Sequence, residues 1–311
     1  ADERALYPDL LFTPEHLENH NGVPGESVVF IHYLTNTGTL PDTFYLSSRI
    51  TDTGDGGWSV AHPLSLHLAS GAATAVPVTV SVPADGISGT HAVAVLTATS
   101  KLNTRIHSVV DNATFIEWKP GVLLIPAYDE RVNPGATITY VHIISNTGNA
   151  SDTFDLNVSS TRNWAVITPT RVALGPRAWA NVWVAVSAPA YAPGGTVEET
   201  IVSASSTGSG ASGTVVDRTT VNHTPGDRYV ATTGNDTFNN CHVITAPCRT
   251  IAYAVSQATS RDVIKVAGGT YYEHDILLNK NVTLRGGHSG SGDWEFMPRT
   301  YTTTVDAQGR G

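Results

Sequence analysis

Cys241 and Cys248, the only two cysteines, lie seven residues apart in a turn-rich segment. A local disulfide formed in an oxidising compartment is the simplest chemistry open to them. A zinc site would need more ligands than Cys241, His242 and Cys248 supply. The same C-terminal stretch holds the acids and bases Asp262, Glu273, His274, Asp275, Asp293 and Glu295. Glu273-His274-Asp275 is dense, but neighbours on one turn do not converge on a substrate, so a solvated turn is the preferred reading. No Gly-x-Ser-x-Gly elbow, phosphate loop, zinc-helix motif or dinucleotide fingerprint occurs. No catalytic residue is assigned, and the chain is expected not to be an enzyme.

The elements that carry these groups follow a segment written twice. His32-Tyr33-Leu34-Thr35-Asn36-Thr37-Gly38 with Asp42-Thr43-Phe44 returns 110 residues later as His142-Ile143-Ile144-Ser145-Asn146-Thr147-Gly148 with Asp152-Thr153-Phe154. An alternating strand running into Asn-Thr-Gly, a turn that tolerates positive φ, predicts a β-hairpin corner. Trp58 and Trp164, Val80 and Val186, and Pro83 and Pro189 continue the match at a spacing of 106, which places four extra residues between Phe44 and Trp58. A repeat this long means two tandem domains of one fold.

One face of each first strand should point inward: Val28, Phe30, His32 and Leu34, and Ile138, Tyr140, His142 and Ile144. Further expected core positions are Phe44, Leu46, Trp58, Val60, Leu64, Leu66, Leu68, Val76, Val78, Val80 and Val82. A polar connection is expected between Phe12 and Pro24-Gly25. About seven strands per copy, separated by turn signals, suit an antiparallel two-sheet sandwich. Lys119-Pro120-Gly121 and Pro225-Gly226 mark the joints, giving domains 1–119, 120–225 and 226–311.

Charged residues are only 14% of a chain with net charge -9 and no basic run, which argues against nucleic acid. No stretch approaches the ~20 continuous apolar residues of a membrane span. Ala1-Asp2-Glu3-Arg4 reads as a mature terminus left by signal peptidase.

Residues 8–225 resemble the immunoglobulin-like repeats of bacterial secreted and cell-wall proteins, whose spacers, stalks and adhesive modules imply location more than activity. After Arg228 come a Tyr229-Val230 strand, a Gly234-Asn235-Asp236 turn, a helix starting near Pro247-Cys248-Arg249-Thr250-Ile251, Ile264-Lys265-Val266 and Gly269-Thr270-Tyr271. That order resembles the cap and first coils of a pectate-lyase-like right-handed parallel β-helix. Strands recurring at roughly twenty-residue spacing are expected, and the final coils read as incomplete without further polypeptide. The fold class is therefore all-β: two sandwiches plus a β-helix start.

Binding candidates are few. Inward His32 and His142 lie in different domains and read as core histidines bonded to backbone, not paired ligands. Asp52 and Asp55 flank a glycine in the extra loop and form a candidate calcium site. Since calcium takes ~6–8 oxygens and no bidentate Glu accompanies them, a solvated turn is preferred and no cofactor is expected. If Val182, Val184 and Val186 point inward, Trp179 and Trp183 share the outer face, where the first copy has Ala73 and Pro77. Such indoles pack against a neighbouring domain or subunit, the preferred reading, or stack on sugar rings. Sequons stand at Asn112, Asn149, Asn157, Asn222, Asn235 and Asn281, each a candidate glycosylation site.

The leading expectation is an extracellular or cell-surface structural protein, a stalk, adhesin or filament subunit. Its partners would be itself, other surface proteins or polysaccharide. Two alternatives stand beside it: the non-catalytic N-terminal portion of a secreted β-helix polysaccharide lyase or hydrolase, and a carbohydrate-binding module.

Overall fold

The computed structural model describes residues 6–54 and 56–310. In the first copy, one sheet runs in the order β1 (Leu10–Thr13), β3 (Ser27–Asn36), β7 (Ala73–Ser81), β5 (Ser59–Ala61). The other runs β2 (His16–Gly22), β9 (His107–Ile116), β8 (His91–Ser100), β4 (Asp42–Asp52), β6 (Ser65–Leu68).

The second copy repeats this strand for strand. One sheet is β10 (Val122–Ile125), β12 (Thr137–Asn146), β16 (Trp179–Ser187), β14 (Ala165–Thr168); the other is β11 (Asp129–Val132), β18 (Ser212–Val221), β17 (Val197–Ser206), β13 (Asp152–Ser160), β15 (Arg171–Leu174). These paired four- and five-stranded sheets are immunoglobulin-like sandwiches. The chain divides into two compact units. One runs to Gly121 and takes in Asn146–Asp152 and Leu174–Ala178; the other holds Val122–Ser145, Thr153–Ala173 and everything from Trp179 on.

Alternation explains the first core. Phe30, Leu34, Phe44, Leu46, Trp58, Val76, Val78, Val80 and Leu96 are buried together, as a period of two requires. Leu64, expected in the core, is instead 78% exposed because it lies in the connection between β5 and β6.

The Asn-Thr-Gly segment is not a hairpin corner, since β3 and β4 belong to different sheets and the chain there crosses between them. Asn36 pins the crossing: its side-chain amide donates to the carbonyls of Leu40 and Leu68, and its Oδ1 accepts the Gly38 amide. Asn146 does the same with Ala150, Leu174 and Gly148. Nor is Gly38 there for positive φ. A Cβ on it would stand 2.7 Å from the Asp9 nitrogen and 2.8 Å from the Tyr7 oxygen, so close approach of the N-terminal segment excludes a side chain. Gly38→Ala should therefore destabilise the first unit by about 1–3 kcal/mol. A wild-type urea midpoint in that variant would show that the approach is not tight.

The stretch between Phe12 and Pro24 is a strand, β2, where the sequence predicts a polar connection. It pairs parallel to β9 at the sheet edge, with His16 opposite Asp111 and Leu17 opposite Asn112. Edge strands tolerate polar residues because one side stays in water, so hydropathy alone hides it.

The remaining described chain builds two parallel sheets: β19 (Arg228–Val230), β20 (Val263–Ala267) and β22 (Thr283–His288), and β21 (Gly269–Tyr271) with β23 (Thr303–Val305). Parallel partners are uneven in spacing. Val263 to Thr283 spans 20 residues, but Arg228 to Ile264 spans 36 and Gly269 to Thr303 spans 34. The first long excursion contains the disulfide loop and α1 (Ile251–Gln257), which supply a core of their own. Lys280 Nζ donates to the carbonyls of Val255, Ser256 and Ala258 at the end of α1, where a cation complements the helix dipole. Phe238 packs against Trp164 and Tyr191, and the Asn240 side-chain amide donates to the carbonyls of Ala190 and Ala192, tying this stretch to the second sandwich.

Candidate functional site

Val182, Val184 and Val186 are fully buried, so alternation along β16 turns Trp179, Asn181 and Trp183 outward. Trp179 is 63% and Trp183 43% exposed. Four strand residues set the Cα atoms of the two tryptophans about 13 Å apart, with Asn181 between them. Across the sheet, Ser145, Ile143 and Val141 stand opposite Trp179, Asn181 and Trp183, and Thr168 faces Trp183 from the other side. None of these side chains is charged. The first copy carries Ala73 and Pro77 at the Trp positions, opposite Thr35 and Ile31, so the sandwich forms without the indoles.

The C-terminal acids and bases do not converge. Glu273 spends both oxygens on the Ile251 and Ala252 amides at 2.7 and 2.8 Å, where a carboxylate suits the start of a helix. It borders a cleft of about 300 Å³ that also exposes Thr232, Arg249 and Tyr272. Tyr271, on the same cleft, is buried; burial first, then the Glu273 charge, pushes its phenol up to about 12. Asp262 is buried against Arg228. His274 and Asp275 contact each other in solvent, and Asp293 and Glu295 are exposed.

Cys241 and Cys248 form the expected disulfide, buried, with Cα atoms 5.0 Å apart. His32 and His142 are fully buried core residues, each bonded through Nδ1 to a proline carbonyl, Pro14 and Pro126 respectively. At the calcium candidate, Asp52 accepts the Gly54 amide through Oδ1, while Asp55 lies outside the described residues. Among the described residues, no three His, Cys, Asp or Glu groups are gathered as they stand around one point that could hold a metal ion.

Two sequons are structural instead of surface sites. Asn112 is fully buried, with Oδ1 at 2.8 Å from His32 Nε2. Asn149 donates its amide to the Glu117 carbonyl and accepts the Lys119 amide, and is 5% exposed. A glycan on either would break those bonds. Asn157, Asn235 and Asn281 are exposed; Asn222 is partly buried and bonded to Asn133.

The first sandwich carries a further cluster that hydropathy and motif spacing do not mark. His16, Glu18 and His20 occupy alternate positions of β2. His16 Nδ1 meets Asp111 Oδ1, and its Nε2 lies 2.9 Å from Glu18 Oε1. His20 Nε2 lies 3.3 Å from the other Glu18 oxygen. The His20 ring stacks on Phe115 at 4.4 Å, and Phe115 also stacks on His91 at 4.8 Å. Its signal in the sequence is His-x-Glu-x-His at strand period, legible only once β2 is recognised as a strand.

No protein-family model matches the chain, and no curated protein matches it. Solved structures do resemble it. A protein of unknown function from Porphyromonas gingivalis W83 is 14% identical over 68% of this chain and 99% of its own, with a TM-score of 0.29. The titin domains z1z2, solved in complex with telethonin, are 13% identical over 70% of this chain and 98% of theirs, with a TM-score of 0.30. The D0-D1 domain of intimin is 10% identical over 68% and 97%, with a TM-score of 0.23. At these scores the immunoglobulin-like assignment rests on the strand order itself. No helix among the described residues is long and apolar enough to cross a membrane.

Proposed function

We propose that the protein is a non-catalytic extracellular structural protein, a surface stalk, adhesin or filament subunit, that makes its contacts through the Trp179–Trp183 face. The observation that carries this reading is the contrast between the copies. One repeat folds with Ala73 and Pro77 where the other holds two solvent-exposed indoles, so folding does not account for them. An uncharged sheet face with aromatic anchors suits a protein contact, where Trp is enriched among the residues that dominate binding. The disulfide supports an oxidising compartment, and the engagement of Glu273 and Asp262 in structural bonds supports the absence of catalysis.

Sedimentation velocity and electron microscopy of the native protein test the proposal. Self-associated species are expected, and Trp183→Ala should weaken association by about 2 kcal/mol, roughly thirtyfold in Kd. A native protein that stays monomeric at high concentration would remove self-association.

The Asn181 amide between two indoles favours a second reading, a neutral polysaccharide lying along the strand. Retention on an insoluble glycan that Trp179→Ala abolishes would select it. The parallel pairing of β19, β20 and β22, and of β21 with β23, supports a β-helix opening of the kind found at the front of polysaccharide lyases. Cleavage of an acidic polysaccharide by this chain would overturn the non-catalytic assignment.

A further inference from the structure

The geometry points to a divalent transition-metal site, zinc foremost, on the outer face of the first sandwich, with His16, Glu18 and His20 as ligands and Asp111 as a positioning residue. Strand period puts the three ligands on one side of β2, and the parallel register sets Asp111 directly opposite His16. The Nε2 atoms of both imidazoles already face one carboxylate, at 2.9 and 3.3 Å from its two oxygens. In a tetrahedral zinc site with bonds of ~2.0–2.2 Å, neighbouring donors stand ~3.3 Å apart. Each imidazole is thus held near metal-site spacing from one Glu18 oxygen, with a proton between each pair.

Two further features match a metal site. Asp111 holds His16 by Nδ1, leaving Nε2 for the ion, which is the carboxylate–histidine–metal arrangement that fixes ring orientation. His20 is oriented by its stack on Phe115. The donors do not yet meet at one point, because each imidazole takes a different Glu18 oxygen. Gathering them requires rotation of side chains that are 48–65% exposed and therefore free to turn. Two imidazoles with a carboxylate suit zinc, copper or nickel better than calcium or magnesium, which take oxygen ligands.

The second copy supplies an internal control. Registering Asn112 on Asp217, the positions of Asp111, Phe115 and His91 are Val216, Thr220 and Val197, with Val197 opposite Thr220 as His91 is opposite Phe115. The second copy's sheet therefore forms without the residues that orient His16 and His20, and folding does not require them.

Calorimetric titration of the whole chain with zinc chloride, after chelator treatment, tests the proposal. One ion per chain is expected, and cobalt at the same site should give the visible absorption of tetrahedral coordination. His16→Ala and His20→Ala should each weaken binding at least about tenfold, and Asp111→Asn about 10–100-fold with a changed cobalt spectrum. His107→Ala, an exposed histidine outside the cluster, should bind as wild type. Circular dichroism checks folding, and Glu18→Gln repeats the test should an alanine variant fail to fold. Absence of binding, or binding unchanged in a folded His16→Ala/His20→Ala double variant, would overturn the site.

Discussion

Arg228→Met should destabilise the second unit by about 3–5 kcal/mol, because it strands a buried carboxylate. Arg228 and Asp262 are 2% and 1% exposed, with Nη2 3.0 Å and Nε 3.1 Å from Asp262 Oδ2. The guanidinium also donates to the carbonyls of Asn240 and Thr224, so β19, the disulfide loop and the approach to β20 meet on one side chain. Methionine matches much of its length but donates to none of them. Asp262 in turn accepts the amides of Gly226 and Thr259 and the Thr259 hydroxyl. Burial pushes its carboxyl up, but the Thr259 and Gly226 amides, the Thr259 hydroxyl and the Arg228 charge outweigh burial and hold it below its ordinary 3.8.

A carboxyl whose folded value lies below its unfolded one stabilises fully above the unfolded value, and that contribution is lost as pH falls through the folded value. The wild type should accordingly lose stability in this region below about pH 4, and Asp262→Asn should lack that part of the acid dependence while being less stable at neutral pH. Trp294, 2% exposed and packed 4.9 Å from Tyr229, is a natural fluorescence reporter beside β19. Equal acid midpoints in wild type and Asp262→Asn would show that the carboxyl is not the titrating group.

What was legible in the sequence follows from period and duplication. The sandwich strands announce themselves because one face alternates into the core, and the duplicated His and Asn-Thr-Gly fix which face that is. The short helix is marked by Ala254, Val255 and Ala258. What failed did so where local pattern underdetermines tertiary role. Asn36-Thr37-Gly38 carries the composition of a tight turn, yet its Asn is a buried pin between sheets and its Gly yields space to Tyr7 and Asp9. Asn112 and Asn149 fit the sequon pattern, but that pattern carries no information on burial. β2 is polar because it is an edge, and with it the His16 cluster stayed hidden. Its ligands share a strand, but Asp111 lies 95 residues away and is brought opposite only by parallel pairing.

The two core histidines make the second large effect a comparison between copies. His32 joins the Pro14 carbonyl to Asn112 on β9, and His142 joins the Pro126 carbonyl to Asp217 on β18, so each ring bridges the bend between a first and second strand to the opposite sheet. The copies differ in one atom of chemistry. His142 Nε2 stands 2.9 Å from Asp217 Oδ2, with both side chains fully buried, and Asp217 Oδ1 accepts the Tyr128 amide. Leucine fits the volume of either ring but satisfies neither partner. His32→Leu leaves a neutral amide and a carbonyl unpaired, about 2 kcal/mol. His142→Leu leaves a buried carboxylate without its imidazole, about 3–5 kcal/mol. Asp217→Asn, which recreates the first copy's pairing and keeps an acceptor for Tyr128, should cost about 1 kcal/mol or less. Urea unfolding should rank the three variants, from most to least stable, as Asp217→Asn, His32→Leu and His142→Leu. If His32→Leu and His142→Leu lost equal stability, the carboxylate would be solvated or paired elsewhere, and the two pins would be energetically the same despite their different partners.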